Sequence, residues 1–197
     1  MTGALKWNLV SEQDYLAGEL VSPVKHEYIG GTVHAMAGAG NRHNTITVNI
    51  TGMLWSRLKG RPCQPFNNDT KIHILLPTHT RYYYPDASVV CRSNPDSDSF
   101  QDDPVVVVEV LSDAPRRLDD GEKRDGYLTI PSLKVYLLVE QDEAVVIAYR
   151  RTEHGFVREV YAGRDAELPL PEIGIELPLA EVYERVEFDP AAGHGQP

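Results

Sequence analysis

Between Asn44 and Leu58 the apolar residues Ile46, Ile50, Met53, Leu54 and Leu58 recur at intervals of three and four, and Lys59-Gly60 follows. This spacing predicts an amphipathic helix that stops at the glycine. Ser11 with Asp14 forms a capping pair for a short helix over 11–18. KHEYIGGTVHAMA predicts two short strands about a Gly30-Gly31 turn. Strand-like pieces follow at 63–67, 70–76, 81–84 and 87–91, and then the polar run RSNPDSDSFQDDP predicts an exposed loop. Four valines open a strand over 105–111. Residues 120–129 are helical in pattern and stop at Pro131, after which VYLLVE, VVIAYR and FVREVY predict three strands with a turn at His154-Gly155. The order predicts the α/β (α+β) class, a mixed β-sheet flanked by helices.

The valine strand poses a chemical problem. In PVVVVEVLS, Glu109 interrupts a run that is otherwise apolar enough to be buried on both faces. An ionised carboxylate there carries a large desolvation cost unless it is paired or bound to a cation. Asp86, in YYYPDASVVC, starts the preceding strand, because Pro85 holds Tyr84 extended and ASVVC continues the pattern. Carboxylates on neighbouring strands lie within about 5 Å of each other and can share one ion, and an all-oxygen site favours Mg²⁺ or Mn²⁺. Lys123, in DDGEKRDGY, sits on the following helix, from which its ammonium can reach the same end of the sheet.

Bulk properties narrow the choices. The 197 residues suit one domain, expected over 1–187, with a flexible Pro/Gly/Ala-rich tail over 188–197. Hydrophobic residues make up 42% and charged residues 24%, as in soluble proteins, and no run is long enough to cross a membrane. The N-terminus lacks a secretory pattern, and Cys63 and Cys91, the two cysteines, are expected to be reduced thiols in a cytoplasmic protein. The net charge of −10 excludes a nonspecific DNA-coating protein. Thirteen acidic and five basic side chains lie from Val139 onward, a net −8, so the first two-thirds of the chain is close to neutral. A G-x-S-x-G elbow, an HExxH helix and a P-loop are all missing from the sequence, which disfavours other hydrolase classes.

The series Y-x-PD-A-S-V-V, V-V-V-E-V-L-S, D-D-G-E-K-R-x-x-Y and I-P-S-L-K-V-Y-L-L-V resembles the Uma-type restriction endonuclease family of the PD-(D/E)XK nuclease superfamily, over roughly residues 10–185. The resemblance implies a restriction-endonuclease-like fold and a divalent-metal-dependent phosphodiesterase acting on DNA. It matches Asp86 and Glu109 to the metal ligands, joined by the backbone carbonyl of Val110, and Lys123 to the catalytic lysine. Leu111 stands where the wider superfamily has that lysine. Glu27, in VKHEYIGG, matches a further acidic position. Arg42 and His43 fall at a helix start, which favours anions, and are candidate phosphate contacts, His43 otherwise being a surface histidine. Arg116 and Arg117, beyond the Glu109 strand, are candidates for the same role. A homodimer would cut both strands of a duplex. Two other readings remain open: an inactive nuclease-fold module that binds nucleic acid or a partner, and an oligomeric scaffold in which Glu109 only pairs with Lys123 or Arg116.

Overall fold

The structure, a computed structural model, describes residues 9–111 and 118–188. Helix α1 (Glu12–Glu19) is capped by the Ser11 hydroxyl, which accepts from the Asp14 N–H. Strands β1 (His26–Ile29) and β2 (Thr32–Ala35) form the expected hairpin. Gly30 and Gly31 carry its turn at φ 55° and 101°, a conformation open to glycine at no steric cost. Helix α2 (Asn41–Leu58) begins three residues earlier than its apolar spacing indicates. It is followed by β3 (Gln64–Asn67), β4 (Lys71–Leu75), β5 (Thr80–Tyr83) and β6 (Ala87–Val90).

Strand β7 (Phe100–Gln101) lies inside the stretch expected to be a plain loop, where it pairs in parallel with β4 and buries Gln101. The valine strand is β8 (Pro104–Val110). The helix expected over 120–129 is a π-helical turn, Leu118–Lys123, running into a short α3 (Arg124–Tyr127). Gly121 and Gly126 weaken regular α-helix there. Strands β9 (Val135–Val139), β10 (Val145–Thr152) and β11 (Gly155–Ala162) match the pattern. A further hairpin, β12 (Glu167–Leu170) and β13 (Ile175–Pro178), then leads into α4 (Leu179–Val182).

The strands form a five-stranded sheet in the order β2-β1-β5-β4-β7, a six-stranded sheet β11-β10-β9-β8-β6-β3 and the β12-β13 ribbon. The β8–β9 and β4–β7 pairs are parallel and the rest are antiparallel, so the fold is the mixed α+β arrangement that the pattern predicts. Alternation along β8 separates two cores. Val106, Val108 and Val110 pack with Ile46, Ile50 and Leu54 of α2. Val107 and Leu111 pack on the other side with Ile72, Tyr83, Tyr127 and Tyr136. Glu109 shares the phase of Val107 and Leu111, so its side chain enters the second, tyrosine-rich core. A third cluster of Tyr15, Tyr28 and Tyr82 fixes α1 on the five-stranded sheet.

The expectation of two free thiols is corrected, because Cys63 and Cys91 form a disulfide. β3 and β6 are antiparallel with Gln64 opposite Val90, so the next residues outward, Cys63 and Cys91, meet across the strands. No described helix is long and apolar enough to cross a membrane. The tail expectation falls mostly on 189–197, outside the described residues; Phe188 itself packs on Tyr183, with ring centroids 5.4 Å apart.

Leu54 is fully buried between α2 and the six-stranded sheet, so Leu54→Ala is expected to cost about 3 kcal/mol in urea unfolding with an unchanged m-value. Unreduced, denatured protein is expected to take up no iodoacetamide by intact mass, and two equivalents after reduction.

Candidate functional site

Tyr84, Pro85 and Asp86 carry the chain from β5 of the five-stranded sheet to β6 of the six-stranded sheet. The extended backbone that proline enforces makes this crossing direct. β6 runs antiparallel to β8 with Ala87 opposite Val108, and the same register continued by one residue sets Asp86 opposite Glu109. Directly opposed residues in an antiparallel pair point to one face. That register turns both side chains to one face, where the chain crosses between the two sheets.

Each carboxylate is held by identifiable donors. Asp86 Oδ2 accepts the Val110 backbone N–H at 2.7 Å and lies 3.2 Å from His43 Nε2. Glu109, only 4% exposed, accepts the Tyr127 hydroxyl on Oε1 at 3.1 Å. Lys123 Nζ stands 3.7 Å from that same oxygen and 2.8 Å from Glu27 Oε1. Glu27 also accepts the Tyr84 backbone N–H at 3.3 Å, which ties β1 to the crossing segment. The helix carrying Lys123 comes close because residue 126 is glycine: a Cβ there would meet Arg81 Nη1 at 3.2 Å and Tyr83 Cε2 at 3.4 Å. Arg81 reinforces the contact by donating to the Glu122 carbonyl at 3.1 Å.

Asp86, Glu109, Val110, Lys123, Glu27 and His43 thus converge from β1, α2, the β5–β6 crossing, β8 and the π-turn before α3. One expectation changes. His43 is not a surface histidine: it is 8% exposed and set against Asp86, because the first turn of α2 lies over the start of β6. Arg42, on the same turn, donates to Asp142 at 2.5 Å. Arg116 and Arg117 lie outside the described residues. Tyr127 is the residue that the sequence reading passed over. Its signal is the four-residue spacing from Lys123, which puts both side chains on one helix face.

The donor chemistry fits a hard divalent cation. Asp86 and Glu109 offer oxygen ligands from opposed backbone positions, and the carbonyl of Val110 belongs to the same strand end. Among the described residues, no group of three or more His, Cys, Asp and Glu side chains is placed to hold a metal by itself. That is compatible with Mg²⁺ or Mn²⁺, since Mg²⁺ keeps much of its water shell and commonly uses one or two carboxylates together with substrate phosphate.

Three comparisons with known proteins bear on this arrangement. The family model Uma2, described as "Putative restriction endonuclease", matches residues 13–180. The chain is 31% identical over 180 residues to the uncharacterized protein slr1290 of Synechocystis, covering 91% of this chain and 94% of that one. It is 31% identical over 136 residues to the uncharacterized protein sll1609 of the same organism, covering 68% of this chain and 76% of the other. The crystal structure of "a putative nuclease belonging to DUF820" from Anabaena variabilis superimposes with a TM-score of 0.66 at 20% identity, over 85% of this chain and 96% of that one. This likeness shows a shared fold.

Burial, with the nearby charges of Glu109 and Glu27, pushes the Tyr127 phenol well above its ordinary value, and burial pushes Tyr83 up to about 12. Tyr15, Tyr82, Tyr84 and Tyr183 are raised too, chiefly by burial. A phenol raised in the folded state stabilises the fold in full below the unfolded value of 10.0, and that contribution is lost as pH climbs beyond it. Folding stability is therefore expected to fall from about pH 10 upward. Absorbance at 295 nm is expected to show most phenolate appearing together with unfolding; early titration of nearly all tyrosines in still-folded protein would contradict this.

Proposed function

This chain belongs to the Uma2 family, and we propose that it is a divalent-metal-dependent endonuclease that hydrolyses DNA phosphodiester bonds. The observation that carries the reading is the register that sets Asp86, just before β6, opposite Glu109 on β8, with the Lys123 ammonium 3.7 Å from Glu109. Membership of a restriction-endonuclease-like family supports it.

Asp86, Glu109 and the Val110 carbonyl would hold Mg²⁺ or Mn²⁺; bound there, the cation lowers the pKa of a coordinated water and offsets phosphate charge. The chain's own groups do the rest. Val110 N–H and His43 fix one oxygen of Asp86, which directs its other oxygen away from them. Lys123 stands at the edge of the carboxylate pair, where its ammonium stabilises the charge gathering on phosphate oxygens during in-line attack. Glu27 holds that ammonium in place at 2.8 Å. Apolar walls from both cores keep the site partly dry and strengthen each of these interactions. A homodimer would bring a second centre for the other strand of a duplex.

Two observations favour a second reading, an inactive nuclease fold that binds nucleic acid or a partner. Leu111 occupies the usual lysine position, and Lys123 makes its shorter contact with Glu27 rather than Glu109.

Supercoiled and single-stranded DNA incubated with wild-type protein and Mg²⁺ or Mn²⁺ separates the two. Cleavage is expected, and Glu109→Gln and Asp86→Asn are each expected to slow it about 100-fold or more, because the metal's charge stabilisation is worth several kcal/mol. Cleavage that survives in both variants contradicts the assignment, and tight DNA binding without cleavage by wild type favours the second reading.

A further inference from the structure

We infer that Tyr127 is a positioning residue that sets the orientation of the Glu109 carboxylate, and through it the affinity of the site for a divalent cation. The inference rests on the hydrolase reading above and concerns the group that prepares one of its ligands.

Three observations carry it. First, Tyr127 and Lys123 reach the same oxygen, Oε1 of Glu109, at 3.1 Å and 3.7 Å. The hydroxyl is at hydrogen-bond distance, whereas the ammonium is beyond it and makes its short contact with Glu27. Second, Tyr127 is fully buried, and its ring is wedged between Tyr83, 5.5 Å away at 60°, and Tyr136, 5.3 Å away at 37°. A ring held on two sides delivers its hydroxyl to one point. Third, the terminal torsion of a glutamate is broad, so a carboxylate in an apolar strand adopts a single rotation only when a neighbour selects it. β8 sets where Glu109 begins and Tyr127 sets how its carboxylate is turned. Lys123 and Tyr127 lie four residues apart at the π-turn–α3 junction, so one helix face docks both groups together.

The alternative is that the Tyr127 hydroxyl only satisfies a buried acid and contributes to stability. Tyr127→Phe keeps the ring and removes the hydroxyl. Tyr83→Phe serves as the control: it removes a hydroxyl from the same core, one that accepts from Arg81. Mn²⁺ is titrated by calorimetry into wild type and both variants, and melting temperatures are recorded without metal. Tyr127→Phe is expected to weaken Mn²⁺ binding about tenfold, the usual effect of losing a group that orients a ligand, with Tyr83→Phe within twofold of wild type and both melting well above the titration temperature. Mn²⁺ affinity within twofold of wild type in Tyr127→Phe overturns the inference, and so does an equal loss in both variants. Wild-type protein that binds no Mn²⁺ at millimolar concentration, either alone or with a non-cleavable phosphorothioate oligonucleotide present, overturns the hydrolase reading itself, before the variants are compared.

Discussion

A carboxylate near the end of a strand buried on both faces has to be compensated, and the surroundings of Glu109 meet that demand. Removing an ion from water without partners costs many kcal/mol, more than the net stability of a domain this size. Glu109 therefore needs a hydroxyl, an ammonium or a cation at its oxygens. Tyr127 and Lys123 both reach it, and the helix that carries them is pressed against the sheet through a glycine. The same contacts that make its burial tolerable also hold the acid rigidly, which is what a metal ligand requires.

The architecture follows from that requirement. Two sheets meet at Tyr84–Asp86, so the site draws on both without being placed on a long loop. Glu27 arrives from the five-stranded sheet and Glu109 from the six-stranded one, the Lys123 ammonium stands between them, and the N–H of Tyr84 ties Glu27 to the crossing. The disulfide between Cys63 and Cys91 closes β3 onto the far end of β6, the strand that Asp86 introduces. Rigid elements thus hold each of the described acidic groups of the site.

Period and punctuation made much of this legible in the sequence. The three- and four-residue spacing of α2, the Gly-Gly hairpin and the valine run led directly to elements that the structure contains, because each is a local pattern read by a local rule. The pairing of Asp86 with Glu109 was also within reach, since neighbouring strands separated by one loop tend to be adjacent. What escaped depends on register and on contacts between distant segments. His43 looks like an exposed residue at a helix start until α2 is laid over β6. Cys63 and Cys91, 28 residues apart, become partners only once β3 and β6 are aligned. β7 has two residues and no periodicity to detect, and the prolines in ELPL and IELP hide the β12–β13 ribbon. Tyr127 was visible as a letter in a motif; that it bonds Glu109 depends on which way a short, irregular helix faces.

The central claim is that the paired strands hold Asp86 and Glu109 ready for one divalent cation. Anomalous diffraction from crystals soaked in Mn²⁺ tests it directly. The account predicts a peak between the two carboxylates, with oxygen ligands at about 2.1 Å and Lys123 still on Glu27. Density with no anomalous peak at that position, and with Lys123 Nζ drawn to within hydrogen-bond distance of Glu109, would contradict it and leave the buried acid as half of an ion pair.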